Sequence, residues 1–293
     1  MEWTWAVLSV IGAFGQALGW GLKKKALNNS GVNNTTGLVS YGVAGAVLLG
    51  LSLVSGGVAH LTTVFWVATL FVVLLNVLAA WTGYRAVDKG DLSTLMPFMA
   101  LTALAIVPIE YLLRETLPTP HQLWGMIIVV LGAFISAWKS KPTKASLAVA
   151  GYFGVTLACY SITSPLMGVA VNEAGSGLRF AAIMHVGIAI GFVFLCLISR
   201  EWRVIKELKH RRQWVRTLWW MVLAGIVIAL FENGPINIAL ETATASEVFA
   251  LKRTMPFFAL MLGVMMFGER VTRWHIIGTA FLVLGSVLIV WFK

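Results

Sequence analysis

Three ionisable side chains, Glu232, Lys252 and Arg253, fall within one largely apolar stretch, FENGPINIALETATASEVFALKRTMP, from 231 to 256. A charge inside a membrane span is costly, so it marks a pathway or a site unless something pairs it. Lysine offers a point charge and arginine a planar fork, and side by side they could clamp a carboxylate or a phosphate. Neighbours on a helix point about 100° apart, which predicts one of the two facing a cavity and the other a flank. The structural alternatives are an ion network, in which Glu232, Glu241 or Glu247 neutralises both cations, and snorkelling of both to the interface. Glu232 carries three readings: counter-ion to Lys252 or Arg253, proton-binding site, or acceptor for a cationic substrate. Asn233, Gly234, Pro235 and Asn237 follow it. Proline removes a backbone donor and frees a carbonyl, glycine loosens the turn, and the amides can bond a ligand.

Other polar side chains sit at estimable depths in the apolar runs, at about 1.5 Å of rise per helical residue. Glu232, Lys252, His185 and Tyr160, with Ser161 and Ser164, are expected in an outer layer. Gln16, Trp20 and Asn76 are expected in the inner half. His185 reads either as a proton relay or as a buried neutral ring bonded to a neighbour. Asn76 reads as a cavity amide or an interhelical bond. Trp20, Trp81, Tyr84 and Tyr160 could wall a cavity, cage an organic cation, or simply pack. Pro97, Pro235 and Pro256 are candidate hinges, and Glu110 and Glu269 fall at span ends, where helix-end contacts are expected. Enzyme chemistry finds little to work with. The two aspartates, Asp88 and Asp91, sit in one turn, no His/Cys/Glu group has metal spacing, and no P-loop is present. Neither cofactor nor metal is expected, and the protein is not expected to be an enzyme.

The elements that must position these residues follow from composition. The 293-residue chain is 59% hydrophobic and 12% charged, against about 25% charged in soluble domains. Windows of about 20 apolar residues recur ten times, near 3–22, 36–55, 63–84, 92–112, 121–138, 147–170, 178–198, 217–238, 248–267 and 275–292. This predicts an all-α polytopic membrane protein with ten transmembrane helices, sequential spans being antiparallel neighbours. The longest link holds Trp202, Ile205 and Leu208 at helical spacing among cations, as in a helix lying on the membrane surface. Cys159 and Cys196 lie in apolar runs, where they pack rather than form a disulfide framework. The net charge of +10 points to membrane orientation rather than to nucleic acid. Setting aside Arg114, Arg179, Lys252, Arg253 and Lys293, the other 17 of the 22 Lys and Arg fall in the odd-numbered links. The positive-inside rule then puts those links in the cytoplasm and both termini outside a cell (inner or plasma) membrane. Lys23, Lys24 and Lys25 are counted there as cations of the first link.

The chain also repeats. LMPFMAL (95–101) matches TMPFFAL (254–260), Glu110 matches Glu269, and Gly125, Gly132 and Trp138 match Gly278, Gly285 and Trp291. Residues 1–143 and 144–293 read as two five-helix repeats. An odd number of spans per copy inverts the second relative to the first. Val73, Ser93 and Thr94 stand where the second copy has Glu232, Lys252 and Arg253, so the charge is one-sided.

Pro256 followed by GERVTRWHIIGTAFLVLGSVLI (268–289), with its weaker copy in the first half, resembles the EamA-type repeat of the drug/metabolite transporter superfamily. The resemblance implies a ten-helix carrier with a central cavity and alternating access, moving a small metabolite. The Lys252–Arg253 pair is also similar to the phosphate-binding pair of plastid triose-phosphate translocators, relatives in that superfamily. The expected function is secondary transport of a small polar solute, anionic or zwitterionic, by a monomer in the lipid bilayer. Its contacts would come from Lys252, Arg253, Glu232, Asn233, Asn237, Tyr160, His185, Asn76, Trp20 and Gln16. The alternative is a carrier of organic cations or drugs using Glu232 and the aromatic residues.

Overall fold

A computed structural model describes residues 3–30, 32–55, 61–89, 95–115, 117–137, 144–201, 212–269 and 272–291. Among them every regular element is helical. This is the solution that hydrocarbon imposes on a single continuous apolar segment, since each backbone N–H and C=O must find its partner inside the segment. In chain order the helices are α1 (Thr4–Ser30), α2 (Asn33–Val54), α3 (Thr63–Lys89), a 3-10 turn (Met96–Ala100) leading into α4 (Leu101–Arg114), α5 (Pro120–Ala137), α6 (Lys144–Ala174) and α7 (Gly177–Ser199). After them come α8 (Arg212–Val227), a π-helical segment (Ile228–Asn233), α9 (Gly234–Ala239), α10 (Ala245–Lys252), α11 (Met255–Phe267) and α12 (Arg273–Trp291). Asp91, Ser93, Thr94, Trp138 and the Trp202, Ile205 and Leu208 segment lie outside the described residues.

Seven helical stretches are long and apolar enough to cross a membrane: Thr4–Asn29, Asn33–Val54, Thr63–Lys89, Leu147–Ala174, Gly177–Ser199, Trp214–Ala239 and Ala245–Phe267. Three of the ten apolar windows hold shorter helices, Phe98–Leu113, Pro120–Ser136 and Arg273–Ile289. The chain is a multi-pass membrane protein. Its exposed surface is rich in large apolar side chains such as Leu53, Phe71, Phe194 and Ile198, as a lipid-facing surface requires.

The packing is antiparallel where the contacts give a direction. Asn34 of α2 bonds Ser199 of α7, and Gly45 lies against Val186. Thr82 of α3 bonds Thr156 of α6, and Thr62, just ahead of α3, bonds Glu173. α5 and α12 cross with backbone against backbone: a methyl group at Gly125 would meet Gly285, and one at Gly132 would meet Gly278. Small residues permit such close approach, which drives helix association where lipid offers no hydrophobic gradient. α1 uses the same device. Gly12, Gly15 and Gly19 run along one face against Ile236, the Phe231 carbonyl and the Glu232 side chain.

Each candidate hinge proline opens a helical segment: Pro97 the 3-10 turn, Pro235 α9 and Pro256 α11. There the missing N–H costs nothing. Pro235 cannot bond the carbonyl of Phe231, and that oxygen is packed closely on Gly15. The π turn, a form common at functional sites, lies immediately upstream and contains Glu232.

Candidate functional site

The break between α10 and α11 sets the geometry of the two adjacent cations. Pro256 cannot donate to the carbonyl of Lys252, and α10 ends there, with Arg253 as its cap at φ −75°, ψ 4°. Arg253 is therefore no longer a helical neighbour of Lys252. The expectation that one faces a cavity and the other a flank does not hold, because both line the same cavity.

That cavity encloses about 470 Å³ of empty space, counting its open mouth. Gln16 of α1, Asn76 of α3, Tyr160 of α6, His185 of α7, Glu232 and Asn233 of the π segment, and Lys252 and Arg253 all border it. The outer and inner layers expected from the sequence are thus one space. α9 carries the eighth span on to Ala239 and α10 begins the ninth at Ala245, so Glu232 and Lys252 lie further from the ends of their spans than the apolar windows implied. Trp20 and Asn237 do not border the cavity. Trp20 lies behind it, edge-on to Tyr84 at 5.7 Å. The Asn237 amide donates to the Asn233 carbonyl at 2.7 Å, which secures the turn after the π segment. Tyr41, Thr163, Phe249 and Met184 also line the space. Sequence reasoning passed over them because aromatic, thioether and hydroxyl side chains in a span carry no signal that separates cavity from packing.

The charges are unevenly matched. Lys252 Nζ lies 3.2 Å from Glu232 Oε1, so that carboxylate is engaged. Arg253 is only 2% exposed, has no ion pair or side-chain hydrogen bond among the described residues, and keeps a buried Nε without a partner. The Phe249 ring lies 5.9 Å from its guanidinium carbon, and Tyr160 borders the same space. Of the other acids considered as neutralisers, Glu247 accepts from Gln122 and from the Thr244 cap, and Glu241 accepts from the Gly177 N–H. Two further cavity groups are buried without partners among the described residues, Gln16 Oε1 and His185 Nε2. His185 Nδ1 is 2.7 Å from the Ala181 carbonyl, and a carbonyl only accepts. The proton therefore sits on Nδ1, leaving Nε2 as an acceptor on the cavity side. Asn76 is held by a bond to the Val72 carbonyl. Buried polar atoms are normally satisfied, and here an arginine donor and two acceptors share one space, which suits a polar ligand bearing both negative charge and donors.

The sequence expectation of a cage for an organic cation is also revised. Trp81 stacks on Arg85, 3.7 Å from its guanidinium carbon, and Tyr160 is a cavity wall. Trp20 and Tyr84, with Tyr41, surround Lys23 instead. Lys23 and Lys24 are buried within α1, and Lys24 pairs with Glu269 at 3.5 Å. They are helix residues rather than free cations of the first link.

A polytopic helical protein with a buried, charged, polar cavity between its helices has the architecture of a membrane transporter. Residues 147–291, just under half of the chain, match the EamA-like transporter family, part of the drug/metabolite transporter superfamily. Its members are transporters rather than enzymes. A solved crystal structure shares the fold, with a TM-score of 0.69 and 15% identity over 98% of this chain and 99% of that one. No curated protein matches the chain.

Proposed function

We propose that the protein is a secondary active carrier of a small polar anion, or of a zwitterion bound through its anionic end, working by alternating access as a monomer in the plasma membrane. The observation that carries this reading is Arg253, a buried cavity guanidinium left unpaired while Glu232 is given to Lys252. An isolated buried charge is costly, and a carboxylate or phosphate seated on the fork would relieve that cost while meeting its donors. A carrier of organic cations would need a free acid, and the cavity's carboxylate is already taken.

Two inverted five-helix repeats are part of the same reading, and the helix contacts support it. Exchanging each helix for its counterpart five spans on turns α3 against α6 into α8 against α1, and α1 against α11 into α6 against α4; both members of each pair are present. At the α5 and α12 crossing the exchange is reciprocal, since Gly125 meets Gly285 while Gly132 meets Gly278. That is the contact pattern of a two-fold axis. The cavity would then lie between the repeats, where inverted-repeat carriers bind their substrates.

The test is uptake into proteoliposomes across a panel of carboxylates, phosphorylated sugars, amino acids and quaternary amines, run on the wild type and on Arg253→Gln. The expected result is uptake confined to solutes with an anionic group, lowered at least about tenfold in the variant at unchanged yield of folded protein. Arg253→Lys should restore only part of it, because an ammonium cannot supply the fork. Transport of cations alone, or full activity without the guanidinium, overturns the proposal.

A further inference from the structure

Lys23 is the buried cation that the cavity chemistry leaves unused. It is 2% exposed, and its ammonium lies 4.9 Å from the ring centroid of Trp20, 4.8 Å from that of Tyr41 and 5.4 Å from that of Tyr84. It has no ion pair or hydrogen bond among the described residues. The rings come from three helices and are braced. Trp20 meets Tyr84 edge-on, Tyr41 stacks on Phe192 at 5.8 Å, and Gly83 leaves the room that Trp20 fills. Three ring faces within about 6 Å of one ammonium make the arrangement that recognises alkylammonium ions, and the attraction strengthens when water is excluded. The contrast with Arg85 is instructive: that cation stacks on a single ring, Trp81, and is only half-buried, as a packing contact would be.

The cage is also next to the transport cavity. Tyr41 borders both, and the Glu232 carboxylate approaches α1 at Gly19, one turn before Lys23. An empty cage in that position would draw organic cations toward Glu232.

We infer that Trp20, Tyr41 and Tyr84 form an alkylammonium site whose occupant is the chain's own Lys23, and that Lys23 thereby determines the sign of charge the carrier accepts. The tethered ammonium competes from a high effective concentration and adds a positive charge beside the cavity, so soluble cations are refused twice. The cage inference stands apart from the anion reading, because cation binding in it is gained or not whatever Arg253 holds.

The test uses the full-length purified protein and tetramethylammonium as the probe, with thermal shift and tryptophan fluorescence as readouts. Lys23→Ala is expected to bind tetramethylammonium roughly tenfold or more tightly than the wild type. Adding Trp20→Leu to that variant should abolish the gain, which separates a cage from a general loosening. Equal binding in wild type and Lys23→Ala, or a gain that survives Trp20→Leu, overturns the inference. Lys23→Ser provides a second, more wettable opening of the cage. If neither variant yields folded protein, Lys23 is a structural cation and the inference fails. In proteoliposomes a failed anion reading would appear as loss of the Arg253 effect with the cage result intact, so the two can be told apart.

Discussion

Because the Glu232 carboxylate lies 3.2 Å from Lys252, an anion reaching that ammonium must displace it or share it. The two roles of Glu232, stabiliser and competitor, separate in Glu232→Gln. Removing the charge leaves Lys252 buried without its partner, which costs up to about 3 kcal/mol, less whatever cavity water returns. The ligand-free variant should therefore melt below the wild type. Anion affinity should hold or rise, since the competing carboxylate is gone, and a titration by thermal shift reads both effects together. A loss of affinity as large as that in Arg253→Gln would instead make Glu232 a ligand for the ammonium of a zwitterion. The sequence made Glu232, Lys252 and Arg253 legible because charge in an apolar run is rare. It could not assign the pairing, since that depends on Pro256 ending α10 and turning Arg253 out of helical register. Lys23 was misread for a related reason. Counting cations in links treats every lysine near a span end as solvated, whereas α1 continues to Ser30 and carries Lys23 in among the rings.

At the scale of the elements, short helical segments are held by side chains from distant parts of the chain. α10 has only eight residues, too few to be stable alone. Its Thr244–Glu247 capping box satisfies part of the N-terminus. Glu110 of α4 completes it, accepting from the Ala245 N–H at 2.7 Å and the Ser246 N–H at 2.6 Å. A carboxylate is the natural partner for these free donors and for the positive end of the helix dipole. Glu110→Ala should therefore destabilise the fold by about 3 kcal/mol, on the basis of two lost charge-assisted bonds, read as a lower unfolding temperature. Glu110→Gln should recover part of it. An unchanged melting curve would mean that α10 is held by packing alone. Helix-end contact was the sequence expectation for Glu110, since it closes an apolar run. Its partners were out of reach because 135 residues separate it from Ala245. The π turn at Ile228–Asn233 left no trace at all: periodicity over six residues cannot distinguish a wide turn from an α-helical one, and only Gly234–Pro235 hinted at a break.

For the whole molecule, the inverted-repeat reading makes a claim about sides of the membrane that helix packing alone cannot make. Five spans per repeat put both termini on one face, and the bias of Lys and Arg toward the odd-numbered links puts that face outside. Taking Lys23 and Lys24, both buried in α1, out of the link tally weakens the bias but does not reverse it, since 15 of the remaining 20 Lys and Arg still fall in the odd-numbered links. Single cysteines at exposed positions test this in intact cells with a membrane-impermeant maleimide. Trp3→Cys, Leu117→Cys and Trp291→Cys should label without permeabilisation, and Asp88→Cys only after it. The native Cys159 and Cys196 are buried and should add little background. The reverse pattern would turn the molecule over while keeping the repeat. Labelling of Leu117→Cys and Trp291→Cys from opposite sides would break the repeat itself, because those positions close the fourth and tenth spans and must share a face if each copy has five. The carrier mechanism depends on that outcome. The cavity can open alternately to the two sides by exchanging conformations between the halves only if they are inverted copies, and the charges of the second half would then meet the same solute from either side.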